Sequence, residues 1–387
     1  MAIFMQPSDP ITILKKLVAI PSYVDAGHDE SKAAKFVFDY LSQFPYLHVE
    51  RQKVSGRRFN IIAQTKKNTG KKILFAGHLD TVQPKVGWQA DQFSLMKKGD
   101  FLYGLGSLDM KGSIAAMLGA LASLKDPKNL AFLFYCDEEY DFAGMKTFLQ
   151  RRGDKKSYQL AILGEPSDLK IMNVHRGLIE ISFSTVGKTG HAANPHGGIN
   201  AIDATYTMLA DLRRWMKSFR HPKLGPPSLN VAYIRGGLQL SENSTAIGKQ
   251  GNNIADFCEV VVDIRTTSPL LRAKQVVHRL ARDAKLQGVT LRNVIVRHDL
   301  GSLHTSKQNL LSIEKIVTQH TGEENPYLDP VGRGYSDGQM LQEKFNIPVV
   351  SIGPRGKGVH AIREAVEKKS LYTCRDVYAS IMGSAER

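Results

Sequence analysis

ILFAGHLDTV, residues 73–82, begins as an apolar run and ends in charge. Ile73, Leu74, Phe75 and Ala76 have the unbroken apolar character of a strand buried on both faces. Gly77 interrupts the run, and His78 and Asp80 follow at once. A strand covered on both faces that delivers polar side chains at its carboxyl end predicts an open parallel sheet, with a ligand site beyond the strand ends.

The pattern recurs along the chain. Leu130–Cys136 is followed by Asp137, Glu138 and Glu139, Leu160–Leu163 by Glu165, and Ile347–Ile352 by a loop holding His360. Helical patterns separate these runs. Met110–Leu124 is small, apolar and free of proline, Phe142–Arg151 is a second segment, and Asp109 sits between GLGSL and the first of them. Ser8-Asp9-Pro10 has the residue types of a helix start. Strands alternating with helices predict an α/β sheet with both faces covered.

The middle of the chain reads differently. Leu178–Val186 alternates, Ile199–Phe219 is helical, Leu229–Ile234 and Cys258–Arg265 are strand-like, Pro269–Ala284 is helical and Val289–Arg297 is a strand. The order β-α-β-β-α-β is the split βαβ unit of ferredoxin-like domains. The expected architecture is a mostly parallel α/β domain, 1–177 and 299–387, interrupted by a smaller ferredoxin-like α+β domain at 178–298.

Bulk composition narrows the classes. A chain of 387 residues with 42% hydrophobic content exceeds one ordinary core and is not disordered. Cys136, Cys258 and Cys374 are far apart and form no CxxC pattern, so a reducing, cytoplasmic setting is expected. The N-terminal MAIFMQPSDPITILKKL lacks the layout of a signal peptide or membrane anchor, so no membrane partner is expected. The net charge of +15 comes from scattered pairs such as Lys66-Lys67, Lys97-Lys98, Arg151-Arg152 and Arg213-Arg214. Without a basic stripe interleaved with aromatics, no nucleic-acid partner is expected. A diffuse basic surface suits small anionic substrates instead.

Taken singly, the polar groups are unremarkable. A histidine at a strand end is most often structural, Glu138-Glu139 alone suits a solvated surface, and Asp109 alone suits a helix N-cap. Together, two histidines and several carboxylates at one sheet edge need a counter-charge, because crowded carboxylates repel and take up protons. Two divalent ions supply it. Imidazole and carboxylate suit zinc, with cobalt or manganese as alternatives. Two ions ~4 Å apart activate water and polarise a carbonyl. Rival motifs fail. GYSDG (334–338) has the G-x-S-x-G form but no buried strand before it. GKTGH (187–191) has Ser182 where a P-loop needs glycine, and GLGSLD (104–109) lacks the third glycine of a dinucleotide fingerprint.

HLDTV (78–82), GLGSLDMKG (104–112), DEE (137–139), GEPS (164–167), GHAANPHGGINAI (190–202) and VHAIRE (359–364) together resemble the M20 metallopeptidase family. That family includes succinyl-diaminopimelate desuccinylase, acetylornithine deacetylase and carboxypeptidase G2. The resemblance implies that His78, Asp109 and Glu165 hold one ion, and that Asp109, Glu139 and His360 hold the other. It implies Asp80 as the partner that orients His78, Glu138 as general base, and a cis peptide at Asp109–Met110. It implies that His191 steadies the oxyanion, that Asn252 and Arg265 grip a substrate carboxylate, and that the small domain is a lid mediating a homodimer. The implied substrate is a small N-acyl amino acid, with a short peptide as the alternative. Arg265 also suits a plain strand-surface salt bridge. A non-catalytic binding protein is disfavoured, since Glu138 and all five ligands are present. The substrate signals conflict. GYSDG is desuccinylase-like and GGINAI (197–202) deacetylase-like, while Leu178 and Asn252-Asn253-Ile254-Ala255 depart from family patterns.

Overall fold

The computed structural model describes residues 8–151, 156–241, 246–331 and 334–385. Arg152 and the first seven residues, on which parts of the charge and leader readings rest, lie outside the described residues. The chain divides into two compact units, Met1–Val174 with His304–Asp329 and Ser336–Arg387, and His175–Leu303 with Pro330–Tyr335. The sequence alone assigned 330–335 to the larger domain, because nothing in its composition sets it apart.

In the larger unit the apolar run at 73–76 lies within the strand Lys72–His78, at the middle of a six-stranded sheet. Leu130–Tyr135 flanks it on one side and Tyr158–Leu163 on the other, both parallel to it, and Val349–Ser351 adds in parallel beyond Tyr158–Leu163. Every residue of Leu130–Tyr135 is buried, as its continuous apolar sequence requires of an interior strand. The hairpin Leu47–Ser55 and Arg58–Thr65 completes the other edge antiparallel. All four parallel strands therefore present their carboxyl ends together.

The helix Lys111–Ala122 packs on this sheet and beneath the helices Pro10–Val18 and Lys368–Ser384. It is buried from Lys111 to Leu121, which accounts for its lack of a polar face. Gly164 permits the close approach. A Cβ there would lie 2.5 Å from Met110 Cε and from Ser113 Cβ. Asp9 caps the first helix, its carboxylate accepting the Thr12 N–H at 2.9 Å. Phe142–Arg151 is helical only over Ala143–Phe148, since Phe142 is left-handed at φ 58°.

A second, four-stranded sheet of very short strands was not legible in the sequence. It orders Gly356–Lys357, Ala365–Glu367, Phe101–Tyr103 and Met96–Lys98. Its first two strands close the loop 358–364, and pairing of Ala365 with Tyr103 lays that loop beside the segment leading to Asp109.

The smaller unit is a five-stranded antiparallel sheet in the order Ile247–Gly248, Ser228–Gln239, Phe257–Thr266, Gly177–Val186 and Thr290–Leu300. The helices Ala201–Met216 and Ala273–Leu286 cover one face. Alternate residues of Phe257–Thr266 are buried, and Cys258, Val260, Val262 and Ile264 join a core with Met208, Leu212, Val276 and Leu280. This is the expected β-α-β-β-α-β arrangement, with period-two strands meeting amphipathic helices, and the two-residue strand Ile247–Gly248, not expected from the sequence, added at one edge.

Candidate metal centre

His78 is the last residue of the central strand and is buried. Its Nε2 lies 3.2 Å from Asp109 Oδ1. His360 Nε2 lies 3.3 Å from the other oxygen, Oδ2, and 3.0 Å from Glu139 Oε1. Asp109 thus turns one oxygen to each imidazole. It does not cap the helix that follows: Met110 holds the N-cap position, with no side-chain cap bond. The Asp109–Met110 peptide is cis.

Among the described residues, three groups have ligand atoms mutually within 4.8 Å: His78, Asp109 and Glu165; His78, Glu138 and Glu139; and Asp109, Glu139 and His360. The first and third are the two sets expected from the sequence, and they share Asp109. Imidazole nitrogens and carboxylate oxygens in sets of three are a donor set that suits zinc and related divalent ions. The buried Glu165 Oε1 has no hydrogen-bond partner, which fits an atom reserved for a cation.

Electrostatics point the same way. Burial, with the charges of Glu165, Asp337 and Glu139, pushes the Glu138 carboxyl well above its usual range, although His78 opposes this. Burial and the Asp109 charge push Glu165 up to about 8. Donating hydrogen bonds to the Asp109 and Glu139 carboxylates raises His360 to about 10. Burial opposes the Asp109 charge, but His360 and His78 outweigh it and hold that carboxyl well below its usual range. Without cations, protons and imidazolium charge must offset this crowding of carboxylates.

Asp80 works on both sides of the site. Its backbone carbonyl lies 3.2 Å from His78 Nδ1, with its carboxylate at 3.6 Å. The same carboxylate accepts the N–H groups of Glu138 and Glu139, at 3.1 and 2.8 Å. Asp137 is not turned to the site. It is left-handed at φ 73°, pairs with Arg58 at 2.6 Å and accepts the Ala143 N–H. Glu30 grips the same guanidinium with both oxygens and accepts the Asp137 N–H. Sequence reasoning missed Glu30 and Arg58, because neither follows a strand end.

A profile of peptidase family M20/M25/M40 matches residues 74–384. The chain belongs to this family. An acetylornithine deacetylase from Buchnera aphidicola subsp. Schizaphis graminum is 31% identical over 67% of this chain and 68% of that protein. Among solved structures, the M20 family metallo-carboxypeptidase Sso-CP2 from Sulfolobus solfataricus superposes with a TM-score of 0.78 at 16% identity, over 97% of this chain and 98% of that one. A dinuclear metal-binding peptidase of the M20 family from Bacillus subtilis gives 0.68 at 16% identity, over 96% of each.

Other features of this M20 peptidase were hidden in its sequence. Asp337 of GYSDG is fully buried and accepts the Tyr135 hydroxyl at 2.7 Å, while its Oδ2 has no partner. Burial pushes it up to about 7. Ser336 precedes it, and no strand leads into that turn among the described residues, so the nucleophile elbow is absent. Glu364, at the end of VHAIRE, is buried against the Asp109 segment.

His191, Asn252 and Arg265 belong to the smaller unit. His191 and Asn252 are neighbours there: Ala192 N–H donates to the Asn252 carbonyl at 2.9 Å, and both side chains are exposed. Arg265 donates to both oxygens of Asp263, at 2.8 and 3.0 Å, and stacks over Tyr335 at 4.9 Å. That is the strand-surface salt bridge weighed as its alternative. No helix among the described residues is long and apolar enough to cross a membrane.

Proposed function

We propose that this M20 peptidase is a two-metal amidohydrolase that cleaves the amide of an N-acyl amino acid, releasing a carboxylate and an amine. The observation that carries the reading is Asp109 facing His78 with one oxygen and His360 with the other. Likeness to acetylornithine deacetylases supports an acyl amino acid over a peptide as substrate. Divalent ions bound there would supply Lewis acidity, acidifying a water molecule and polarising the amide carbonyl.

The residues divide the work. His78, Asp109, Glu139, Glu165 and His360 are the ligands, with zinc first and cobalt or manganese as alternatives. Glu138 takes the water proton and passes it to the leaving nitrogen. Asp80 holds Glu138 and Glu139 by their backbones. His191 donates to the oxyanion from a partner copy in a homodimer, and Asn252 and Arg265 take the substrate carboxylate, Arg265 through its two-pronged fork. The setting is cytoplasmic.

The test is a hydrolysis screen of N-acetyl, N-succinyl and dipeptide substrates with added zinc, cobalt or manganese. Release of amine from the acyl amino acids, abolished by chelation, is the expected result. Turnover confined to dipeptides would replace the deacylase by an exopeptidase. Full turnover after complete metal removal would overturn both.

A further inference from the structure

Glu364 is a buried carboxylate, 1% exposed, at a meeting point of backbone donors. Its Oε2 accepts the Gly106 N–H at 2.8 Å. Its Oε1 accepts those of Leu108 at 2.8 Å and Asp109 at 2.9 Å. All three donors come from the turn that ends in the shared ligand, ahead of the helix Lys111–Ala122, where none has a helical partner. Glu364 is itself fixed. Its carbonyl accepts the Gly104 N–H at 3.2 Å, and the strand that follows it pairs Ala365 with Tyr103.

The chemistry of this nest specifies glutamate. Three N–H groups need an acceptor with two oxygens and no donor of its own. A glutamine of the same shape has one acceptor oxygen, and its NH₂ would be turned against an N–H. An aspartate is one methylene too short to meet the whole turn. Ordinary core packing would make no such distinction.

We propose that Glu364 is a positioning residue of the metal centre: by clamping the Asp109 backbone it fixes the two oxygens that face His78 and His360. The proposal rests on the two-metal reading above. Its signature follows from connectivity. Asp109 belongs to the group with His78 and Glu165 and to the group with Glu139 and His360. Releasing its backbone therefore weakens both ions together, whereas loss of His360 or Glu165 acts on one group.

Chelator-stripped wild type, Glu364→Gln and Glu364→Asp are titrated with cobalt(II), by calorimetry and by the visible absorption of the bound ion. Circular dichroism of each apo protein checks the fold. Wild type should bind two equivalents, and Glu364→Gln should bind both about 10–100-fold more weakly, the range for partners that orient metal ligands. Activity of the variant should climb with added cobalt, kcat recovering while KM stays near wild type. Two ions bound by Glu364→Gln at wild-type affinity, or selective loss of one, would overturn the proposal. Should Glu364→Gln fail to fold, Glu364→Asp is judged by the same two outcomes. A wild type that binds no pair of ions would instead sink the two-metal reading, a result readable without either variant.

Discussion

The Asp80 carboxylate accepts the backbone N–H of Glu138 at 3.1 Å and, with its other oxygen, that of Glu139 at 2.8 Å. One side chain thus fixes the proposed base and a proposed ligand, while its main chain lies against His78. Asp80→Ala should lower kcat and weaken cobalt binding, each about 10–100-fold. Asp80→Asn, which keeps one acceptor, should fall in between. Cobalt titration beside steady-state kinetics checks the order; wild-type binding and turnover in both variants would show that these hydrogen bonds do not matter.

Glu138→Gln should fold and bind two ions, yet lose about 10²–10⁴-fold in kcat, the usual contribution of a positioned base. The amide keeps the shape of the side chain and removes its ability to carry the proton. Metal analysis and kcat on the same preparation separate the two effects. Near-normal turnover would remove Glu138 from its role.

Metal removal should abolish turnover and lower thermal stability, because the crowded carboxylates lose their counter-charge. A ligand at a thousand times its Kd stabilises a protein by about 4 kcal/mol. Differential scanning fluorimetry with and without chelator, followed by zinc restoration, measures this. An unfolding temperature indifferent to metal would contradict the expectation.

Arg265→Ala should raise KM for substrates with a free carboxylate far more than for their amidated analogues. Asp263 now occupies both prongs of the guanidinium, so a substrate must displace it. Asp263→Asn should therefore lower KM for the carboxylate substrates. Equal effects on both substrate series would leave Arg265 as a surface salt bridge only.

Asp9→Ala should cost about 1 kcal/mol of stability, the usual value for a lost N-cap. Asp9 also accepts the Tyr372 hydroxyl at 2.8 Å, so the loss should lie toward about 2 kcal/mol, the upper end for a lost cap. Urea unfolding measures it, and kcat should not change.

Strand ends were the most legible part of this molecule. A parallel interior strand needs a continuous apolar run, so a polar residue just past one stands out, and His78, Glu138, Glu139 and Glu165 all stood out in this way. The hairpin Leu47–Ser55 and Arg58–Thr65 did not, because its first strand lies at the sheet edge and carries charge along an exposed face. The sheet joining Ala365–Glu367 to Phe101–Tyr103 was invisible, since strands of three residues are too short to show periodicity.

Local sequence thus determined the kinds of element, their order, and the polar groups released at each parallel strand end. It could do so because burial on two faces dictates side-chain type residue by residue. Only the folded chain decided which backbone atoms those groups hold. The reach of Asp80 to the 138–139 turn and of Glu364 to the Asp109 turn depends on pairings between segments 58 and 255 residues apart. Hydrogen bonds act over about 3 Å, and no pattern along the chain encodes a distance that small between residues so far apart.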